Sequence, residues 1–389
     1  MDLITKNTLI ELMNSSTGLT VSIYIPTYPT GREAEQNPIR LKNQIQTTEE
    51  SLSEMGKSEM EIEDFLSPIF DIVDDEIFWQ EQSEGLALFL DRDSLHIFRL
   101  DTRFNPLTVI GPTYHIKPLI PYFQGNGQFF LLSLDKNRPK LFQGSKNKLF
   151  HVEELDLPES LQEVFDEYFE INRHLQFHTK TQTPNPDNSG AREGMYFGHG
   201  AGEIDEKAEI RNYFHRFNDA LMNYLHDKDM PMILAGLSYL HPLYRDANSF
   251  PGLLEKGIEK DVSQMTHNQL HQVAWEIVED QFQFDVEQAL NVYNQLEGKE
   301  GETTQDLQEI VSAANFKRVH TLFVAKNDQI WGYFDPNQNK VVFDDQNHMN
   351  TEDLLNFAAR KTLLYDGNVV VIPKEEVPGA GSIAAILRY

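Results

Sequence analysis

A strand–polar turn–strand pattern occurs three times, in "GLALFLDRDSLHIFRLD" (85–101), "QFFLLSLDKNRPKLFQGSKNKLFHVEEL" (128–155) and "VHTLFVAKNDQIWGYFDPNQNKVVFDD" (319–345). Each copy opens on an apolar run, turns at Asp or Asn and returns as a second strand. Helical patterns lie between the copies, and one sheet cannot absorb all of them. With 389 residues, at roughly 100–200 residues per domain, the chain is expected to fold as two to three α/β domains.

The punctuation between the patterns sets three expected segments. Residues 1–124 open with the strand "LTVSIYIPTY" (19–28), in which Val21, Ile23 and Ile25 alternate, followed by an amphipathic helix through Ile39, Leu41, Ile45 and Leu52. Pro68 is expected to break or kink the next, acidic helix. Residues 128–298 hold the second meander, a helix through Ile210, Tyr213, Phe214, Phe217, Leu221 and Leu225, an apolar strand ending at Gly236, and two helices, "NQLHQVAWEIVEDQFQ" and "DVEQALNVYNQLEG". Residues 304–389 alternate helix and strand, with Gly367 expected as a helix C-cap.

Composition narrows the function classes. Hydrophobic residues make up 40% and aromatics 11% of the chain, enough for packed cores. There is no cysteine. That removes disulfides, thiolate catalysis and Cys-based zinc sites, and fits a reducing compartment. No stretch approaches ~18 apolar residues and the first residues do not read as a signal peptide, so a cytoplasmic protein without membrane contact is expected. The net charge of −28 argues against a general nucleic-acid coat. RNA contact would need a local basic patch. The densest is "KNRPKLFQGSKNK", with Lys136, Arg138, Lys140, Lys146 and Lys148 and no acid among them. It reads equally as a phosphate contact or as lysines guarding an edge strand.

One feature is out of keeping with a compact domain. "HTKTQTPNPDNSGAREGMYFGHGAGEID" (178–205) is a polar run of about thirty residues, too long for an ordinary connection. It closes on Gly198, His199, Gly200, Ala201 and Gly202, and the long helix is expected to start just after, near Glu203. His199 and Glu203 are the weak catalytic candidates there, and a flexible linker is the competing reading. His267 and His271 have the i, i+4 spacing of metal ligands but lack a third ligand, so no metal site and no cofactor is expected. Neither a Walker loop nor a G-x-S-x-G elbow occurs.

Taken together, "LTVSIYIPTY", "GHGAGEIDEKAEIR" and the terminal "GAGSIAAILRY" resemble the archaeo-eukaryotic peptide-chain release factor and Pelota family, and within it the bacterial branch. The resemblance covers all three segments in order. It implies a decoding-type α/β domain, a ribonuclease H-like central domain and an L7Ae-like α/β/α C-terminal domain. In that family the central loop reads Gly-His-(Arg/Lys)-Ala-Gly-Gly-Gln and enters the peptidyl-transferase centre, where the glutamine and backbone amides position a water. Here Gly198, His199, Ala201 and Gly202 match. Gly200 replaces the basic residue, Glu203 the next glycine and Ile204 the glutamine, while Lys207 and Arg211 keep part of the basic stretch that follows. Isoleucine has no polar atom with which to orient water. The expectation is a translation-associated factor that binds the ribosome, or ribosomal RNA or tRNA, through 198–211 without the glutamine-dependent hydrolysis. The alternatives are a peptidyl-tRNA ester hydrolase using His199 or Glu203, or a protein-interaction module that has lost RNA contact. Whether the chain is an enzyme stays open at this point.

Overall fold

The computed structural model describes residues 6–14, 18–123, 128–134, 139–153, 155, 199–226, 228, 230–346, 348 and 351–388, with the backbone alone described at 6, 7, 123, 199–207 and 209. The chain forms two compact units, residues 1–126 together with 280–389, and residues 127–279. The fold is mixed α/β, with four sheets among the described residues.

The N-terminal part of the first unit starts with α1 (Lys6–Asn14), β1 (Thr20–Pro26), α2 (Asn37–Glu54), α3 (Glu59–Val73) and α4 (Glu76–Gln80). It continues through β2 (Gly85–Leu90), β3 (Leu95–Leu100), β4 (Leu107–Gly111) and α5 (Ile120–Phe123). The strands make an antiparallel sheet in the order β3-β2-β1-β4. Strand alternation sorts β1 into two faces. Val21, Ile23 and Ile25 pack with Leu41, Ile45 and Leu52 of α2 and Ile62, Leu66 and Ile69 of α3. Ser22 and Tyr24 face the other way and hold the chain after β4: Ser22 Oγ accepts from the His115 N–H at 2.9 Å, and the Tyr24 hydroxyl donates to the His115 carbonyl.

Pro68 neither ends nor breaks α3, contrary to expectation. Proline cannot donate to the carbonyl four residues back. The Ser67 hydroxyl donates to that Asp64 carbonyl instead, at 3.0 Å, and Pro68 itself lies on the exposed side.

The second unit contains β5 (Phe129–Leu134), β6 (Lys140–Gly144), β7 (Leu149–His151), α6 (His199–Leu225), β8 (Met232–Gly236), α7 (Leu240–Ala247) and β9 (Ile258–Glu259). The long α8 (His267–Leu296) begins in it. Its sheet runs β7-β6-β5-β8-β9, antiparallel through the first three strands and parallel through the last three. β5 is buried along its whole length, apolar but for Ser133, because both of its faces are covered. Phe130, Leu132 and Leu134 pack with Ile210, Phe214, Phe217 and Leu221 of α6, and Phe129 meets Trp275 of α8 with ring centroids 6.4 Å apart.

The sequence reads two helices where α8 is one of 30 residues. No proline or glycine interrupts it, and its buried residues change partner along its length. Its end supplies a helical layer to the C-terminal segment, which holds β10 (Thr303–Thr304), α9 (Leu307–Asn315), β11 (Val319–Ala325), β12 (Trp331–Asp335) and β13 (Lys340–Phe343). After these come β14 (Glu352–Asp353), α10 (Leu354–Leu364), β15 (Asn368–Ile372) and β16 (Ile383–Leu387). The main sheet here is β10-β16-β11-β15, so the terminal "GAGSIAAILRY" supplies an interior strand. Phe323, Ala325, Val370, Ile372, Ala384 and Ile386 face Tyr293 of α8. Leu322, Val324, Val369, Ile383 and Ala385 face α9 and α10. The result is a three-layer α/β/α sandwich.

The C-cap of α10 differs in one residue from the sequence reading. Asp366, not Gly367, takes the left-handed conformation (φ 56°). The Gly367 N–H donates to the Thr362 carbonyl at 2.8 Å and the Asp366 N–H to the Leu363 carbonyl at 3.2 Å, a Schellman arrangement. Glycine is required one position later because a Cβ on Gly367 would meet Thr362 Cγ2 at 2.4 Å.

A buried polar seam joins the two parts of the first unit. Asn356 accepts from the Ile116 and Lys117 N–H groups at 2.8 and 3.0 Å and donates to the Tyr114 carbonyl. Lys117 Nζ lies 3.1 Å from Asp353 Oδ2 with both side chains fully buried, and it also donates to the Asp328 carbonyl. Asp353 caps α10 by accepting from the Leu355 N–H. Glu352 meets Thr113 at 3.1 Å and Arg360 at 3.8 Å.

Candidate functional site

The expected site lies at the start of α6. The helix begins at His199, four residues before the expected start at Glu203, so Gly200, Ala201 and Gly202 are helical backbone and not a loop ahead of it. Glycine is tolerated in a first turn, whose N–H groups have no intrahelical acceptor in any case. The apolar stripe from Ile210 to Leu225 anchors the rest of the helix. Gly198 and residues 178–197 lie outside the described residues, as do the side chains of His199, Glu203 and Lys207. By backbone position, 199, 203, 207 and 211 follow one another at i, i+4 spacing along one side of α6, with 204 beside 207 and 211. The start of a long helix offers free N–H groups and the positive end of the macrodipole, which suit an anion such as a phosphate.

Arg211 is exposed and lies 3.3 Å from Asp246 of α7. A surface pair of this kind contributes ~0–1 kcal/mol, so a phosphate can displace the carboxylate. On the far side of the carboxyl end of β8, His241 is buried with Nε2 3.2 Å from the Gly236 carbonyl oxygen. Burial holds its imidazole below the usual range, against the opposing pull of that carbonyl and of Glu259.

The described lysines of the basic run, Lys140, Lys146 and Lys148, do not form one patch. Lys140 is exposed at the start of β6, while Lys146 and Lys148 lie in the turn after it. At about 3.4 Å per residue the strand separates them by ~17 Å. Lys136 and Arg138 lie outside the described residues. The turn is set by Ser145, whose hydroxyl accepts from the Asn147 and Lys148 N–H groups at 3.3 and 3.2 Å. Leu141 and Phe142 between the two ends are both buried.

The histidine pair holds α8 to this sheet. His271 Nε2 is 2.8 Å from the Ser145 carbonyl oxygen, and His267 packs edge-on against Phe142 at 5.5 Å. Among the described residues no three metal-ligating side chains cluster. No described helix is long and apolar enough to cross a membrane.

Sequence reasoning missed the group around Lys117, His115 and Asp353. His115 is buried, and among the described residues neither ring nitrogen has a hydrogen-bond partner, Nδ1 lying 3.8 Å from Asp353 Oδ2. Burial, reinforced by the Lys117 charge, holds its imidazole well below the usual range. Burial raises the Asp353 carboxyl above its ordinary value, with Lys117 opposing. A lysine beside a proline in "YHIKPL" carries no signal of burial, because its partner lies in a distant segment.

Residues 129–280 match the model of bacterial archaeo-eukaryotic release factor family 7. That segment holds the sheet of the second unit, α6 and the glycine-rich start of α6. Over that segment the chain is similar to the release-factor proteins of the bacterial branch of the archaeo-eukaryotic family. Among solved structures, the archaeal translation termination factor aRF1 is similar at 14% identity, over 98% of this chain and 96% of that one, with a TM-score of 0.24. Ribosome-bound archaeal Pelota, solved with ABCE1, is similar at 12% identity over 78% of each chain, with a TM-score of 0.37. S. cerevisiae Dom34 is similar at 10% identity, over 79% of this chain and 75% of that one, with a TM-score of 0.36. Scores this low set no common placement of the parts. No curated protein matches the chain significantly.

Proposed function

We propose that this chain is a cytoplasmic, translation-associated factor of the release and rescue type. It binds the ribosome or its RNA through 198–211 and does not carry out glutamine-dependent hydrolysis. The segments 1–124, 128–298 and 304–389 are its three parts, a release-factor-like α/β domain, a ribonuclease H-like domain carrying the glycine segment and an L7Ae-like α/β domain. The observation that carries this reading is the family match over 129–280, which contains the glycine segment with Ile204 in the glutamine position. Glycines at the start of a helix let another backbone approach closely and leave N–H groups for phosphates. Isoleucine cannot align a water, and a carboxylate at Glu203 among RNA phosphates is repelled. The chemistry that survives is recognition.

The test is peptide release from ribosomes carrying peptidyl-tRNA in the P site. Wild-type protein is expected to release no peptide above the spontaneous rate. Release that disappears on His199→Ala or Glu203→Gln would replace this reading with the hydrolase one.

A further inference from the structure

The stretch "YHIKPL" (114–119) follows β4 and belongs by sequence to the N-terminal part of the first unit. Three of its backbone groups find their partner in the other part. The Ile116 and Lys117 N–H groups donate to Asn356 of α10, and the Tyr114 carbonyl accepts from the same side chain at 3.2 Å. Two further stretches cross in the same direction. At the end of α1 the Met13 carbonyl accepts from the buried Arg360 of α10 at 3.4 Å. On β4 the Thr108 carbonyl accepts from Gln346 at 3.2 Å.

The apolar core is shared as well. One continuous cluster holds Tyr24 and Phe89 of the N-terminal sheet, Ile116 and Leu119, and Leu322 and Val324 of the C-terminal sheet. Parts of a chain move against each other by default unless their interface is large and hydrophobic. Opening this one would put the shared cluster into water. It would also leave Asn356 without its three backbone partners and part the buried Lys117 from Asp353.

We propose that the N- and C-terminal segments of the chain form one body that stays closed while the protein works, so that whatever each segment binds is held at a fixed spacing. In the translation-factor reading, on which only the ribosome arm of the test rests, the two segments engage the ribosome together and not in turn.

The chain has no cysteine, so a disulfide can be placed across the seam alone. A Cβ on Gly111, at the end of β4, lies 3.9 Å from Glu352 Cβ, at the start of β14, within the roughly 3.5–4.5 Å span that a disulfide needs. The Gly111→Cys, Glu352→Cys variant is oxidised and sedimented with ribosomes beside its own reduced form, so that any cost of the substitutions is common to both. The oxidised form is expected to pellet to the same extent. Binding weakened roughly tenfold or more by oxidation, and restored by reduction, would overturn the proposal, because the closed state would then not be the competent one.

Hydrogen exchange on the wild-type chain needs no substitution and decides the matter if the variant does not fold. The Ile116 and Lys117 amides donate across the seam. Their protection should stay within about tenfold of that of the interior strands β1 and β11, with and without ribosomes. Protection roughly a hundredfold lower at these two amides, in either state, would overturn the proposal. A wild type that stays out of the ribosome pellet removes the ribosome reading alone, and hydrogen exchange of the free chain still decides whether the seam opens.

Discussion

Lys117 and Asp353 are both fully buried, 3.1 Å apart, between the N- and C-terminal parts of the first unit. Replacing one partner strands the other in a dry site. Lys117→Met is expected to cost about 3–5 kcal/mol, measured by urea unfolding. His115 adds a pH dependence. Its folded pKa lies below the unfolded value of about 6.5. Below that pH the unfolded chain therefore binds a proton that the folded chain refuses. Stability is intact above about pH 6.5 and falls as pH drops beneath it, by up to about 1.4 kcal/mol per pH unit. The raised carboxyls of Glu352 and Asp353 act with the opposite sign, in the window between their unfolded and folded values. The informative quantity is therefore the difference between wild type and His115→Asn from pH 7.5 to 5.5: the wild-type curve should fall more steeply. None of this was legible in the sequence, since an isolated lysine and histidine become a buried pair only when chain far along brings Asp353 to them. The opposite holds for Val21, Ile23 and Ile25, whose alternation shows their shared face directly.

At the scale of elements, the strands were the most readable parts, because period-2 alternation and continuous apolar runs report burial on one face or two. Breaker residues were less reliable. Pro68 sits inside α3 because Ser67 takes over the carbonyl it leaves. The glycines at 200 and 202 sit inside α6 because the stripe from Ile210 onward anchors the helix. Spacing alone also did not show that β6 holds Lys140 apart from Lys146 and Lys148, the described lysines of the basic run. The third structural layer of the C-terminal sandwich comes from α8, a helix the sequence assigns elsewhere. Tyr293 carries that contact, 1% exposed and edge-on to Phe323 at 5.6 Å. Tyr293→Ala is expected to cost about 3–5 kcal/mol, read as a lowered urea midpoint. In the second unit, a Cβ on Gly144 would meet the Phe129 ring at 2.2 Å. Gly144→Ala should destabilise by about 1–3 kcal/mol through overpacking, seen as a lowered melting temperature.

For the whole molecule, a net charge of −28 and an RNA-rich partner are compatible only if contact is confined to local sites. The start of α6 with Lys207 and Arg211 is the site proposed for that contact, and it lies within the residues the family model matches. The decisive measurement is sedimentation of the 389-residue chain with ribosomes at low and moderate salt, wild type beside a chain lacking residues 198–203. The account predicts that wild type pellets with ribosomes, that salt weakens the association, and that the deletion weakens it further at the same salt. Absence of wild type from the pellet with both vacant and stalled ribosomes would contradict it and leave a protein-interaction role in its place.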